Sequence, residues 1–198
     1  SSSGQSLVNM MDLDLLVGSG GVLSHAPRRQ QSARMLIDAF MPEGITQLAV
    51  DSIFMMPQLG VLANIDKDEL KEDASQAALE VFDNDCLIRL GTCLTPVGNA
   101  KPNSKMADVT LTFGDGTVKE IEINEGSLEM MEHPYEEVKV HIKPSRGIDV
   151  GAGKGEELES VIYGGVVGLI FDGRNRPITL SKESDQRIDS LLSWSKAV

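Results

Sequence analysis

The chain has 198 residues, 41% of them hydrophobic and 24% charged, which is enough to bury one large core or two small ones. Asp and Glu number 30 against 18 Lys and Arg, and the resulting net charge of −12 repels a phosphate backbone and argues against nucleic acid as a partner. The longest apolar stretch, at 164–171, is too short to span a bilayer and no signal peptide is visible, so a cytoplasmic protein with no membrane contact is expected.

Residues 14–27, DLLVGSGGVLSHAP, run from a short strand predicted at 15–17 through a small glycine-rich turn and straight into a helix. Glycines at 18, 20 and 21 permit positive φ and close approach of the backbone to a ligand, while Ser24 is placed to cap the next helix and Pro27 to sit in its first turn. Free amides at the positive end of such a helix suit a phosphate or a nucleotide. The same residues serve equally well as a tight connection in an α/β layer. A helix is predicted over 27–40, with Ala33, Leu36, Ile37 and Phe40 on one face, and Gly44 ends the turn that follows. Residues 48–50 read as a short strand or extended connector, and 56–65 as a small-residue helix packing closely through Gly60. A further helix is predicted over 68–82, with Leu70, Ala74, Ala77, Ala78 and Val81 inward, and a strand over 86–90.

Gly, Pro, Asn and Ser cluster over 97–106, where apolar periodicity stops. Residues 1–96 and 107–180 are therefore predicted to be distinct modules, with 181–198 as a terminal helix. The second region reads as β. Residues 107–113 and 117–123 flank Gly114-Asp115-Gly116 as a hairpin of type I′ or a related turn, and Val118 out of step with Ile121 and Ile123 suggests a bulge. Further strands are predicted at 136–142, 161–163 and 166–171, and this many short strands suggests a small barrel or sandwich. Ile188, Leu191, Leu192 and Trp194 form the apolar set of the last helix, which is expected to dock on one of the modules.

The side chains that invite chemistry mostly have plainer readings. His25 beside the turn can reach a ligand or simply bond to backbone, His133 precedes Pro134, and His141 alternates outward on a strand. With Cys86 and Cys93 read as buried thiols, no zinc-like spacing remains, and no catalytic residue is assigned. The acidic run at 66–73 reads as a solvated helix face, and Met55 and Met56 as core filling. The loop GIDVGAGKGEE at 147–157 lacks a Gly-Lys-Ser/Thr ending and reads as a packing turn. Arg174 and Arg176 form a basic turn, either paired with Asp172 or facing an acidic partner.

The stretches GSGGVLSHAPRR, LAVDSIFMMPQLGVLANI, IDVGAGKGEELE and GGVVGLIFDGRNRP, with the helix carrying Trp194, together resemble the C-terminal part of the GlmL/MutL accessory family of the actin-like ATPase superfamily. This family is unrelated to the mismatch-repair protein of the second name. The resemblance implies an α+β fold in which part of an actin-like, ribonuclease H-like α/β lobe precedes the β module and C-terminal helix, with helix 56–65 near a hinge between lobes. It implies an ATP-dependent reactivating factor for an adenosylcobalamin-dependent mutase or aminomutase, with ATP or ADP and Mg²⁺ as cofactors and mutase subunits as partners. Gly18, Ser19, Gly20, Gly21 and Val22 would then form the adenosine-side turn, and Arg174 and Arg176 the partner contact. The Asp-x-Gly-Ser/Thr phosphate loop such ATPases need does not precede Asp14, and SSSGQ reads as a cut or added end. A C-terminal fragment is expected, inactive as an ATPase alone and a weak nucleotide binder. A nucleotide-independent partner-binding module is the alternative, and a sugar-kinase-like phosphotransferase is a weaker one because no catalytic Asp base is visible.

Overall fold

In the computed structural model, which describes residues 8–64 and 72–197, a 3-10 turn at Met10–Asp12 leads into β1 (Leu15–Gly18), α1 (Gly21–Ser24), α2 (Arg29–Phe40) and β2 (Gly44–Asp51). Helices α3 (Met56–Ala63) and α4 (Glu72–Val81) follow, and a π turn at Phe82–Cys86 enters β3 (Leu87–Thr95). The remainder is β4 (Val97–Gly98), β5 (Lys105–Phe113), β6 (Val118–Asn124), β7 (Leu128–Met131), β8 (Glu137–Pro144), β9 (Ile148–Asp149), β10 (Leu158–Tyr163), β11 (Gly168–Asp172) and α5 (Ser184–Ala197). The fold is mixed α+β and ends in a helix, as expected. No described helix is long and apolar enough to cross a membrane.

Strand order explains the layers. The first sheet runs β1-β2-β3-β11-β7, the second β10-β8-β5-β6, and β4 pairs with β9. In β11, Leu169 and Phe171 face the second sheet with Leu94, Val109, Leu111, Val140 and Ile162, while Ile170 faces the helices with Leu36, Leu48, Cys93 and Trp194. All five β11 residues are buried, the pattern of a strand covered on both faces. The molecule is thus three layers, with helices α2 and α5 on one face of the first sheet and the second sheet on the other.

This arrangement corrects the expected division at 97–106. β7 and β11 lie beyond residue 107, yet they complete the sheet begun by β1, β2 and β3, so the two regions share one core. The connector is itself fastened, through β4 against β9 and through Asn175 Nδ2 donating to the Gly98 carbonyl at 2.9 Å. The second sheet stays open, and no barrel closes.

Local differences have local causes. The strand glimpsed at 48–50 extends over Gly44–Asp51 because its polar Thr46 is buried, its hydroxyl donating to the Leu13 carbonyl at 2.9 Å. Phe40 is 49% exposed because α2 ends there, with Met41 in left-handed conformation. A Cβ on Gly60 would meet nothing within 4 Å among the described residues, so α3 does not pack on any of them through it. Met55 joins the small core of Leu59, Ala78 and Cys86, whereas Met56 is 38% exposed. Ile65, the acidic residues of 66–71 and Leu70 lie outside the described residues. The β5–β6 hairpin irregularity falls at Lys105/Ala107, and Val118 simply faces outward, at 57% exposure. Only Gly116 of its turn has positive φ, 83°, so the turn is not type I′, which needs two such residues. In α5 only Trp194 is buried, its Nε1 donating to the Gly126 carbonyl at 2.8 Å, while Ile188, Leu191 and Leu192 are half exposed.

The basic turn closes the layers from within. Arg174 is buried and grips Asp172 with two parallel bonds, Nε to Oδ1 and Nη2 to Oδ2, both 2.9 Å, and Nη1 reaches Asp38 of α2 at 2.8 Å. Its guanidinium lies 5.1 Å over the Trp194 ring. Arg176 donates to Asp172 at 2.9 Å, to the Pro42 carbonyl at 3.1 Å and to the Arg174 carbonyl at 2.7 Å. Burial works against the Arg174 charge, but Asp172 and Asp38 outweigh it and raise its pKa. Of the two readings of the basic turn, pairing with Asp172 is the one present, and the turn is a buried clamp.

Three outcomes follow from this packing. Arg174→Ala leaves Asp172 buried and half-neutralised, and should cost about 3 kcal/mol or more in denaturant unfolding, whereas an exposed change such as Lys139→Ala should stay within about 0.5 kcal/mol. Subtilisin nicking at the exposed connector residues 101–103 should leave two pieces that co-elute until denatured, because the sheet crosses the cut. Burial pushes the Cys93 thiol up to about 12. The unfolded thiol ionises near pH 8.5, so the folded state holds the extra proton and stability falls as pH rises from there towards 12. Cys93→Ala should flatten part of that slope in unfolding measured across the window.

Candidate functional site

β1 and β2 run parallel, and in open α/β sheets ligands gather outside the carboxyl ends of such strands. Gly18 ends one and Asp51 the other, which sets the glycine turn beside a carboxylate. Gly18 itself is a packing glycine, since a Cβ there would lie 2.7 Å from Leu23 Cδ1 and 2.9 Å from Leu36 Cδ2. Gly20 has φ 107°, which an L side chain resists, and a Cβ on Gly20 or Gly21 would meet no atom within 4 Å. Among the described residues nothing covers these two. Val22 is 74% exposed on the same turn, next to a cleft of about 450 Å³ lined by Val22, Pro27, Arg28, Arg34, Met35 and Ser195.

Asp51 is fully buried, and its carboxylate is consumed by its own chain. Oδ1 accepts the Met55 N–H at 3.0 Å, and Oδ2 accepts the Met56 N–H at 2.9 Å and the Ser19 hydroxyl at 3.3 Å. Its backbone carbonyl accepts the Ser24 hydroxyl at 2.6 Å. Burial alone would raise the carboxyl pKa, but the bonds from Met56, Met55 and Ser19 outweigh it and hold the group below its ordinary value. Asp51 therefore remains ionised and clasped at neutral pH, and the clasp loosens only in acid, as pH falls through a pKa held below the ordinary carboxylate value.

Ser24 does not cap the next helix. It ends α1 and ties that turn to β2, while Pro27 lies in the link before α2. The start of α2 is held instead by Gln31, whose Oε1 accepts the Arg28 N–H at 3.1 Å. His25 Nδ1 lies 3.2 Å from the Gly21 carbonyl, the backbone role weighed for it. His133 packs on Phe113 at 5.1 Å, and its Nε2 is buried with no hydrogen-bond partner among the described residues. His141 contacts Glu157 at 2.7 Å on the outer sheet. In the 147–157 loop, Asp149 Oδ1 accepts the N–H groups of Gly151 and Gly153 at 2.9 and 3.1 Å, filling the place an anion would take.

Of the predicted site residues, Ser19, Gly20, Gly21 and Val22 stand together at the turn, with Gly18 beneath them. Arg174 and Arg176 lie at the opposite end of the strands, beside Pro42 and Thr95. Asp51 was not singled out by its sequence, although an Asp closing an apolar strand and shortly preceding a helix with Pro in its first turn is a capping signal. Among the described residues no group of three or more His, Cys, Asp or Glu converges on a metal position, and the occupied oxygens of Asp51 do not fit Mg²⁺ ligation.

A family described as MutL protein matches residues 2–80. No curated protein and no solved structure matches the chain. The matched span holds β1, the glycine turn, β2, Asp51 and α3, and over it the chain is similar to the MutL protein family.

Proposed function

We propose that Ser19, Gly20, Gly21 and Val22 form the adenosine-side wall of an ATP or ADP site, and that the chain is part of an ATP-dependent reactivating protein for an adenosylcobalamin-dependent mutase or aminomutase. The observation that carries this reading is the open glycine turn at the carboxyl ends of β1 and β2. A nucleotide there meets backbone at Gly20 and Gly21 with no Cβ between. Val22 and Met35 offer apolar surface to a base, and Arg28 and Arg34 offer donors to ribose or phosphate oxygens. The parallel β1–β2 pair with α2 packed on its face supports an actin-like lobe.

Response to the ligand would pass through Ser19. Its bond to Asp51, at 3.3 Å, is the longest that this carboxylate makes, and a ligand oxygen competing for that hydroxyl releases one of the contacts holding α3 to the turn. The residues described here supply no ligand set for Mg²⁺, so no hydrolytic step is assigned to them.

Gly21→Val tests the site cleanly, because Gly21 is helical and its missing side chain faces open space. In the full-length protein it should weaken ADP binding by about tenfold or more in calorimetry while leaving the melting temperature unchanged. Affinity equal to wild type would place the nucleotide elsewhere.

A further inference from the structure

A groove of about 670 Å³ opens along the edge of the first sheet where β3 and β11 begin and β7 has ended. Leu87, Ile88, Pro134 and Val166 give it an apolar floor. Val166 is 59% exposed and Tyr135 50%, so apolar surface lies in water here with no internal role. The walls are preformed. Tyr135 stacks on Tyr163 with centroids 5.4 Å apart, and the Arg89 guanidinium sits 5.0 Å from the centre of the Tyr135 ring. The backbone beneath is pinned, with Gly165 N–H donating to the His133 carbonyl at 2.9 Å and Val166 N–H to the Arg89 carbonyl at 3.0 Å.

Charge decides what the groove fits. Asp83 and Asp85 stand on one side in sequence and Glu132, Glu136 and Glu137 on the other, all exposed. Among the described lining residues Arg89 is the one cation and is paired with Asp83, while the exposed Asp85, Glu132, Glu136 and Glu137 lie within three positions of lining residues and carry the charge of the surrounding surface. We propose that this groove docks a basic amphipathic segment of a partner protein, its apolar side chains on Val166 and Leu87 and its Lys or Arg heads among these carboxylates. A second copy of this chain would bring the same carboxylates against each other, and an acidic segment or a nucleic acid would be repelled. The groove is separate from the glycine turn, so the proposal does not depend on nucleotide binding.

The test uses a fluorescent peptide alternating Lys with Leu and Phe, titrated into the protein, with a Glu-for-Lys peptide as its opposite. The Lys peptide should bind, with amide shifts at Leu87, Tyr135 and Val166 and with affinity that falls as salt rises. Val166→Arg, which adds a cation on an exposed position, should weaken binding by about tenfold or more without lowering the melting temperature, and Tyr135→Ala should weaken it as much at a small loss of melting temperature. Glu120→Gln with Glu122→Gln on the outer face of the second sheet should leave binding unchanged. The proposal is overturned if the Lys peptide does not bind, if both groove variants bind like wild type, or if the Glu peptide binds as well. Concentration-dependent broadening of the same residues without peptide would put a second copy in the groove and would also overturn it.

Discussion

The Asp172 carboxylate is the point on which the layers converge. It ends β11, a central strand, and points to the helical side, where Arg174 and Arg176 both donate to it. Through those guanidiniums it reaches Asp38 on α2, the Pro42 carbonyl before β2, and Thr95 at the end of β3. Two arginines and two aspartates balance in charge, although Asp38 is partly exposed and shared with Arg34. Taking these groups out of water costs several kcal/mol per ion, so the cluster adds little net stability by its mere presence. Its effect lies in what it forbids. A shift of α2, β3 or β11 by one residue would leave a buried charge unpaired, and the planar forks accept only one geometry.

That clamp also fixes a polarity in the sheet. β11 is parallel to β3 and β3 antiparallel to β2, so the Asp172 end of the sheet is opposite the Asp51 end. At the clamped end, side chains satisfy side chains. At the other end, Asp51 holds backbone N–H groups, the glycine turn faces open space, and the groove beside Tyr135 exposes apolar surface. The α3–α4 pair belongs to this freer end. Its core of Leu59, Ala78 and Cys86 is separate from the two main clusters, and it meets the sheet through Asp51 and through Ser52, which donates twice to the Cys86 carbonyl.

How much of this could be read in advance depended on the range of the interactions involved. The glycine turn, the α2 face of Ala33, Leu36 and Ile37, and the hairpin strands are set by neighbours within a few residues, and periodicity shows them. Trp194 was recognisable as one of the apolar set of α5, but the exposure of Ile188, Leu191 and Leu192 was not, because amphipathic spacing does not reveal how much of a helix finds a partner. The shared sheet was hidden for a different reason. Residues 97–106 have the composition of a linker, yet β11 pairs with β3 across more than seventy intervening residues, and Gly91 and Gly168 meet so closely that a Cβ on Gly91 would fall on the Gly168 carbonyl. Long-range pairing of this kind leaves no local pattern. The all-buried run GLIFD was the one hint, since a strand with no polar face needs cover on both sides.

Asp51 shows why a buried acid beside an open turn is not by itself a catalyst. A general base needs a lone pair directed at the reacting proton and a pKa near the working pH. Here the lone pairs point at Met55, Met56 and Ser19, and the pKa is held down rather than raised. The same arrangement suits a junction. One carboxylate and its own carbonyl collect bonds from the turn, from α1 and from the start of α3, so the position of each depends on the others. Phe54, left-handed at φ 60° between Asp51 and α3, is strained backbone in the link that would have to move if the Ser19 contact were traded for another. Strain and a long hydrogen bond thus fall within a few residues of each other, on the side of the sheet that the Asp172 clamp leaves free.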